Sequence, residues 1–529
     1  MNFSSMQKPD ISREILEALT SRATRPGDVT KIKVEVCRKH GAPAVPRNSA
    51  LLAAATPEER AVLRRLLLVK PTRTLSGVAP VAVMTSPFPC PHGKCLPCPG
   101  GPDHPFQSPQ SYTGEEPAAL RARDHGYDPY AQVRARLEQF ELLGHHVDKV
   151  ELIVMGGTMT SRPADYQEWF VRECVRAMNE YRGTVRAARP DTARVFGENE
   201  FSPVRCVATT FETRPDWCKK EHIDRMLGLG VTKVELGVQH LDDSILSFNR
   251  RGCTVADTVE ATCLLRNAGI KVGYHVMPNL PGSDIDHDRR MFRELFDNPA
   301  FRPDFLKIYP TLVTPGSAIE ELWKQGQYAP YPEDTLIDLV AYAKSLLPCY
   351  VRLQRIQRDI PARLIVAGSR HSNFRQLCQQ RLAAMGKACQ CIRCREAGRS
   401  EGGGPEELSV FSYDACGGRE YFISVVSGSA LIGFARLRTG GERWRPETEG
   451  SALLRELHVY GSVVPLGSSP SAEQRQHRRF GKKLLSAAEE TAAAEGYRGI
   501  TIMSGIGVRP YYRRHGYERR GPYMHKKLA

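Results

Sequence analysis

The sequence predicts an α/β protein: an incomplete parallel barrel of six β/α units, a connector clipped by cysteines, and a final α/β domain of different order. Three observations predict it. Six strand-like apolar runs, at 81–86, 149–155, 206–212, 232–239, 271–277 and 304–309, alternate with helical segments such as 128–143, 164–181 and 255–268. Repeated β-then-α units imply a parallel sheet with right-handed crossovers, and six of them suggest a barrel left open rather than a closed eight. Glycines and polar groups recur where successive runs end, the end at which barrel enzymes keep their chemistry. From residue 416 the order changes. Strand candidates at 420–426, 429–438 and 453–460 precede a helix at 476–494, a strand at 499–503, a helix at 507–515 and a last strand.

Composition sets the bounds. The chain has 529 residues, room for about three domains. Lys and Arg number 74 against 59 Asp and Glu, a net charge of +15. A surplus of that size suits a polyanionic partner, or else a solvated surface. No apolar run reaches the roughly 18 residues of a membrane span, and no signal-peptide core follows the first residues. Fifteen cysteines, grouped at ligand spacing, argue for a reducing cytoplasm rather than a disulfide framework.

Residues 1–75 read as a basic helical leader. Apolar residues fall at helical spacing over 10–19, and Thr56-Pro-Glu-Glu59 opens a further helix with proline at its first position. Residues 1–80 carry 14 Lys and Arg against 7 Asp and Glu, as befits a nucleic-acid-binding arm or a solvated cap.

The 76–315 segment opens on Cys90-Pro-His-Gly-Lys-Cys95-Leu-Pro-Cys98, directly after the first strand. Thiolates hold zinc, copper(I) or iron–sulfur clusters. Three sulfurs with no nearby fourth ligand favour a four-iron cluster, leaving one iron open for a small molecule. A zinc loop borrowing a distant ligand is the competing reading. Met155-Gly156-Gly157-Thr158 ends the second strand, where glycine lets backbone approach a ligand. Thr209-Thr210-Phe-Glu212-Thr-Arg214-Pro-Asp216, Glu235-Leu-Gly237-Val-Gln239, His275-Val-Met277-Pro-Asn279 and Lys307-Ile-Tyr309-Pro310-Thr311 end the next four.

In the connector, 316–415, Arg352, Arg355 and Arg358 crowd one short segment suited to phosphate contacts. Cys389-Gln-Cys391-Ile-Arg-Cys394 has the tight spacing of a structural zinc clip, with His371, Cys378 or Cys416 as its fourth ligand. The Gly/Ser-rich stretch 398–404 marks a boundary before 416–529.

Together these motifs resemble a radical S-adenosylmethionine (SAM) enzyme. More narrowly, Cys-Pro-His-Gly-Lys-Cys, Gln110-Ser-Tyr-Thr-Gly114, Tyr127-Asp-Pro-Tyr130, Glu212-Thr-Arg-Pro-Asp216 and Lys307-Ile-Tyr-Pro-Thr311 resemble the catalytic subunit of Elongator. The last domain, with Arg455-Glu-Leu-His458 and Tyr511-Tyr512-Arg-Arg-His-Gly516-Tyr517, resembles the Gcn5-related acetyltransferase fold. The chain departs from these patterns at Pro97, where an aromatic is usual, at Cys253, where histidine is expected, and at Arg479, where a glycine is expected.

The resemblance implies a tRNA-modifying enzyme. Cys90, Cys95 and Cys98 would hold a [4Fe–4S] cluster, Gly156 and Gly157 the methionine part of SAM, and Glu212 and Gln239 its polar groups. Acetyl-CoA would lie against Glu456, Leu457, His458 and Val459, with Gln476, Arg479, Gly481 and Lys482 at its pyrophosphate and Tyr512 beside the thioester. Catalytic roles fall to Tyr512, Tyr511, Lys307 and Glu212. The SAM-derived radical would take hydrogen from the acetyl methyl. The new carbon radical would add to C5 of the wobble uridine, splayed from the anticodon loop, and thioester hydrolysis would leave a carboxymethyl group. A second copy of the chain or accessory subunits would be further partners. From the last domain alone, the competing function is a protein lysine acetyltransferase with merely structural cysteine loops.

Overall fold

The structure, a computed structural model, describes residues 10–69, 73–74, 76–103, 107–183, 190–400, 403–460 and 480–528. Four helices come first: α1 (Ile11–Arg22), α2 (Pro26–Lys39), α3 (Asn48–Ala54) and α4 (Pro57–Leu67). Thr56 and Glu59 cap the last of these reciprocally. Their apolar faces meet in a core of their own, built from Ile15, Leu19, Ile32, Val36, Leu51, Leu63 and neighbours.

Two seven-stranded sheets organise the rest. The first is parallel, with spatial order equal to chain order: β1 (Ala79–Met84), β2 (Lys149–Met155), β3 (Arg205–Thr213), β4 (Lys233–Gln239), β5 (Lys271–Val276), β6 (Phe305–Ile308) and β7 (Arg352–Arg355). Because β1 and β7 do not pair, the barrel stays open. The period-2 pattern explains how it is filled. In β2, Val150, Leu152 and Val154 are fully buried against helices, while Glu151, Ile153 and Met155 line a central cavity. Helices α5 (Pro117–Asp124), α6 (Pro129–Leu142), α7 (Ala164–Glu180), α8 (Thr192–Asn199), α9 (Lys220–Gly228), α10 (Asp243–Phe248), α11 (Val255–Asn267) and α12 (Ile285–Asp297) occupy the crossovers.

The partial barrel thus has one strand more than the six the pattern announces. β7 comes from the segment expected to serve as a connector, and it pairs with β6 through Phe305↔Arg352 and Lys307↔Arg355. Arg-Leu-Gln-Arg offers a single apolar residue, too little for a periodicity signal. Around it lie α13 (Ala318–Lys324), α14 (Glu333–Leu346), α15 (Phe374–Ala384) and α16 (Ile392–Arg395).

The second sheet is mixed: β8 (Glu406–Ala415), β9 (Gly418–Ser427), β10 (Ala430–Gly440), β11 (Ser451–Val459), β12 (Gly499–Ile502), β13 (Glu518–Arg520) and β14 (Tyr523–Lys527), in the order β13-β14-β12-β11-β10-β9-β8. Its first strand lies before residue 416. Helix α17 (Phe480–Ala494) seals one face with Leu484, Leu485 and Ala488, and α18 (Arg509–Arg513) precedes β13.

The other face of this sheet meets the barrel through buried charge. Asp304, just before β6, accepts from Arg455 Nη1 and Nη2 at 2.9 and 2.7 Å. Glu420 on β9 accepts from Arg455 (2.9 Å), Arg266 (3.0 Å) and Arg438 (3.1 Å). Arg436 reaches Glu456 at 2.7 Å and Asp304 at 3.4 Å. Arg266, Arg438, Arg455 and Asp304 are 0% exposed. Buried charges survive only when paired this completely. Burial alone would raise the Asp304 carboxyl, but Arg455, Arg266 and Arg436 hold it below the carboxylate range.

Candidate active site at the strand ends

A cavity of about 1170 Å³ runs over the C-terminal ends of β1–β7, and Cys90, Cys95 and Cys98 all line it. The cysteine loop follows β1 directly and is clamped from both sides: Leu96 N donates to Asn249 O (3.2 Å), and Ile319 N to Leu96 O (3.1 Å). Beside it, at the end of the neighbouring strand β2, lies the Gly156–Gly157 corner. Both residues have left-handed φ, +122° and +96°. A Cβ at Gly156 would sit 2.3 Å from Thr85 Oγ1, and one at Gly157 3.0 Å from Gln110 Cβ. Only glycine fits a turn that close to its neighbours. Gln239, also at positive φ (70°), keeps its Oε1 buried with no hydrogen-bond partner. An orphaned buried acceptor at the edge of a cavity is a place for a ligand donor.

Between these features runs a chain of charge. Lys307 Nζ contacts Glu235 and lies 3.6 Å from Glu212. His275 Nε2 lies 3.0 Å from Glu235, Lys233 joins Glu235 (3.4 Å) to Glu151 (2.6 Å), and Tyr112 donates to Glu212 (2.6 Å). Burial alone would lower the Lys307 pKa, but Glu235, Tyr309 and Glu212 outweigh it and hold the ammonium charged above the ordinary lysine value. Glu235 is kept ionised in turn: Lys307 and Lys233 overcome the burial that would raise its pKa. His275 is pushed the other way, toward the neutral ring, by burial and by Lys307. Glu212, Glu235 and His275 would suit a metal ion. The Lys307 ammonium, in contact with Glu235, neutralises that charge instead.

The second candidate region lies where β11 and β12 part. Their parallel register ends at Leu454↔Ile502, and residues 456–459 pair with β10 alone. Glu456 is held by Arg436, and His458 stands between Phe434 and Tyr460, its buried Nε2 without a partner. Leu457 and Val459 pack against the sheet's core. Tyr512, 5% exposed, meets the Tyr511 ring edge-on at 5.3 Å. Burial raises the Tyr512 phenol pKa, which keeps its proton in place. A Cβ on Gly481 would lie 2.8 Å from the Tyr511 hydroxyl, so α17 and α18 bring these two expected residues together. Lys482 is exposed on the next position.

Comparison with known proteins converges on one family. The Radical SAM superfamily model matches residues 87–295, the Radical_SAM C-terminal domain 303–384 and the ELP3 N-terminal domain 8–75. The tRNA uridine(34) acetyltransferase of Methanocaldococcus jannaschii is 47% identical over 513 residues, covering 94% of each chain. Human Elongator complex protein 3 is 42% identical over 535 residues, 98% of this chain and 96% of its own. The chain belongs to the Elongator complex protein 3 (Elp3) family. A solved structure of Methanocaldococcus infernus Elp3 with an N-terminal deletion superposes with a TM-score of 0.74 at 41% identity, covering 86% of this chain and all of its own.

Within this Elp3-family chain the other expected residues distribute unevenly. Cys389, Cys391 and Cys394 come together, their sulfurs within 4.8 Å of one another, and hydrogen bonds from its two neighbours lower the Cys391 thiol pKa. None of the expected fourth ligands joins them. His371 pairs with Glu333 at 2.6 Å, Cys378 is buried in the core, and Cys416 lies beside Ala300. Arg352 is a strand residue, 2.7 Å from Glu396 and 2.9 Å from the Tyr460 hydroxyl, rather than a free connector cation. Arg355 pairs with Asp359, and Arg358 donates to Ser111 O. Gln476 and Arg479 lie outside the described residues. Sequence reasoning gave no role to Lys233, Glu151 or Tyr112. Glu151 lines the cavity at a period-2 position of β2, and buried Lys233 shares the period-2 face of Glu235 on β4, a signal that was available. Tyr112 comes from a loop far from any strand end.

Proposed function

We propose that this chain modifies the wobble uridine of tRNA by SAM-dependent radical chemistry, using acetyl-CoA as the carbon donor. The observation that supports it best is the convergence of the cysteine loop, the Gly156–Gly157 corner and the Lys307–Glu235–Glu212 cluster on one cavity, in a chain alignable nearly end to end with a protein named for that activity.

The residues fit the groups this reading requires. Cys90, Cys95 and Cys98 offer three thiolates, as a [4Fe–4S] cluster with one open iron needs. Gly157 presents bare backbone to the cavity, Gly156 lets that turn close against Thr85, and Gln239 Oε1 waits for a donor. When bound, cluster and SAM supply one-electron carbon-radical chemistry. The protein's own part is to orient and to exclude water. Glu212 and Gln239 hold polar groups across the mouth. Lys307 presents a fixed ammonium that can donate to a base carbonyl or to the thioester oxygen. In the second domain the free edge of β11 at 456–459 would receive acetyl-CoA, and Tyr512, kept protonated by burial, would donate to a leaving thiolate. The Cys389–Cys391–Cys394 group suits structural zinc, since three thiols so close share one cation. The basic N-terminal helices position tRNA through phosphates.

Anaerobically reconstituted protein should be brown, cleave SAM, and append a carboxymethyl group to U34 of an anticodon stem–loop. Cys95→Ala should lose iron and SAM cleavage while α17 and the second sheet stay folded by circular dichroism. Acetylation of lysine peptides by colourless protein would favour the acetyltransferase reading instead. Cys391→Ser should lower zinc content but spare iron. RNA affinity should fall with salt at about 0.7–0.9 log units per phosphate contact, less steeply once the N-terminal helices are removed.

A further inference from the structure

The second sheet ends in two unlike edges. One of them, β13, is three residues long and reads Glu-Arg-Arg, all exposed. Short, charged edges are how sheets avoid pairing with other chains. The opposite edge, β8, is ten residues long, with no proline, no lysine and no register break against β9. Leu408, Val410 and Phe411 on it are 41%, 50% and 45% exposed. Leu408 and Val410 lie opposite Val425 and Ile423, on the face that α17 seals, yet that helix leaves them uncovered.

The turn after β8 fixes which of its backbone groups are free. Cys416 and Gly417, both at positive φ (49° and 68°), form a two-residue hairpin turn, so the flanking Ala415 and Gly418 are a hydrogen-bonded pair. Alternation along the ladder then turns Tyr413, Phe411, Ser409 and Glu407 toward β9, and Asp414, Ser412, Val410, Leu408 and Glu406 outward. Asp414 obeys this: its carbonyl oxygen accepts from Arg302 Nη1 at 2.8 Å. Arg302 thus closes the edge at 414. The free stretch is 406–412, with Ser409 at its middle.

We propose that this free edge pairs antiparallel with the same edge of a second copy of the chain, about a twofold axis at Ser409. That register sets Leu408 of one copy opposite Val410 of the other, and Glu406 opposite Ser412. Arg419 Nη2 donates to Ser412 Oγ at 3.2 Å, and among the described residues no carboxylate forms an ion pair with Arg419. Glu406 of each copy therefore meets Arg419 of the other. An axis one residue along, at Val410, would instead oppose Glu406 to Asp414, like charge to like. The twofold arrangement uses up both edges and leaves no template for a third chain. Seven residues a strand bury little area for a dimer, so the association is a weak one, in the micromolar range. Nothing in it depends on the cluster or on the reaction.

Sedimentation velocity of the full-length protein over a concentration series provides the test. The parent should pass from monomer to dimer through the micromolar range and go no further. Val410→Lys should raise the dissociation constant at least about tenfold without changing the circular dichroism, since half of that side chain already meets water. Glu406→Lys and Arg419→Glu should each weaken the dimer, and the two together should restore it. Ser409→Cys should give one interchain disulfide under mild oxidation, where the parent gives none, because the axis opposes its two copies directly. A monomeric parent would overturn the proposal and leave the edge to a strand of another protein. A dimer indifferent to Val410→Lys, or growth into larger aggregates, would overturn it as well. Should Val410→Lys fail to fold, the charge exchange decides: a double variant no better than either single one refutes the register.

Discussion

Asp304 and Lys307 stand three residues apart at strand β6, and each anchors a cluster of buried charge, yet the clusters are built for opposite ends. Around Asp304, guanidinium groups from Arg455, Arg266 and Arg436 converge with Glu420, and the members are 0–1% exposed. That network joins the two sheets and has no opening. Around Lys307 the carboxylates of Glu235 and Glu212 and the ring of His275 border the large cavity, and the Lys307 side chain retains 11% exposure. A closed network fixes a structure. An open one leaves donors and acceptors for a visitor. Burial of charge is by itself no sign of function; access is what separates the two cases.

The sharpest way to break this comparison is to remove one member of each. Asp304→Asn leaves Arg455 and its neighbours without their main counter-charge, and should cost about 3–5 kcal/mol, read as a lower urea midpoint and poor soluble yield. A loss under about 1 kcal/mol would mean the network is not closed as described. Lys307→Met should lower turnover by about 100-fold or more, the low end for a lost proton-handling group, while melting moves far less than in Asp304→Asn. Equal destabilisation by both would erase the distinction.

Acid provides a finer probe. Asp304 has a depressed pKa, so its contribution is full above the ordinary carboxylate value and is lost as pH falls from there to its own lowered value. His275 is depressed too, chiefly by burial, but it is a base. Unfolding lets it take a proton near the unperturbed 6.5, so stability falls as pH drops below that point, until the lowered folded value is reached. Between pH 7.5 and 5.5 His275 should add up to about 1.4 kcal/mol per pH unit to the loss, beside other histidines that burial depresses in the same way, His145 and His458 among them. His275→Gln, which can still bond Glu235, should flatten the dependence of the urea midpoint on pH; an unchanged slope would assign the loss elsewhere. The smallest effect is expected at the rim, where Asp224, 46% exposed, meets Arg445. Asp224→Ala should cost less than about 1 kcal/mol, and a loss above 2 kcal/mol would show that the interface depends on its edge as well.

The open cluster was largely legible in the sequence because its members sit beside strand-end glycines and prolines, where polar residues have no packing excuse. The closed one was not. Arg436 and Arg438 alternate with Ala435 and Leu437, the pattern of a strand with one face in water. Periodicity separates two faces of a strand, but it cannot report that a second domain covers the polar one. Arg266 in the last turn of α11 likewise reads as an ordinary solvated cation. β7 escaped notice for want of apolar residues. Spacing did not distinguish His371, Cys378 and Cys416 as a fourth partner for Cys389, Cys391 and Cys394, and none of them joins the three sulfurs.

The distance along the chain between Asp304 and its partner has a consequence in time. Arg455 follows Asp304 by 151 residues. At roughly 5–20 residues per second, a ribosome needs on the order of 8–30 seconds to deliver it. Through most of that interval the nascent half-barrel holds a carboxylate destined for full burial with only Arg266, 3.7 Å away, of its three guanidinium partners, and until residue 355 emerges β6 remains an unpaired edge. The barrel therefore waits for the second sheet before its underside can close. Truncations that stop at the end of the barrel's own sequence would leave that wait permanent, so the two halves are made, and best studied, as one chain.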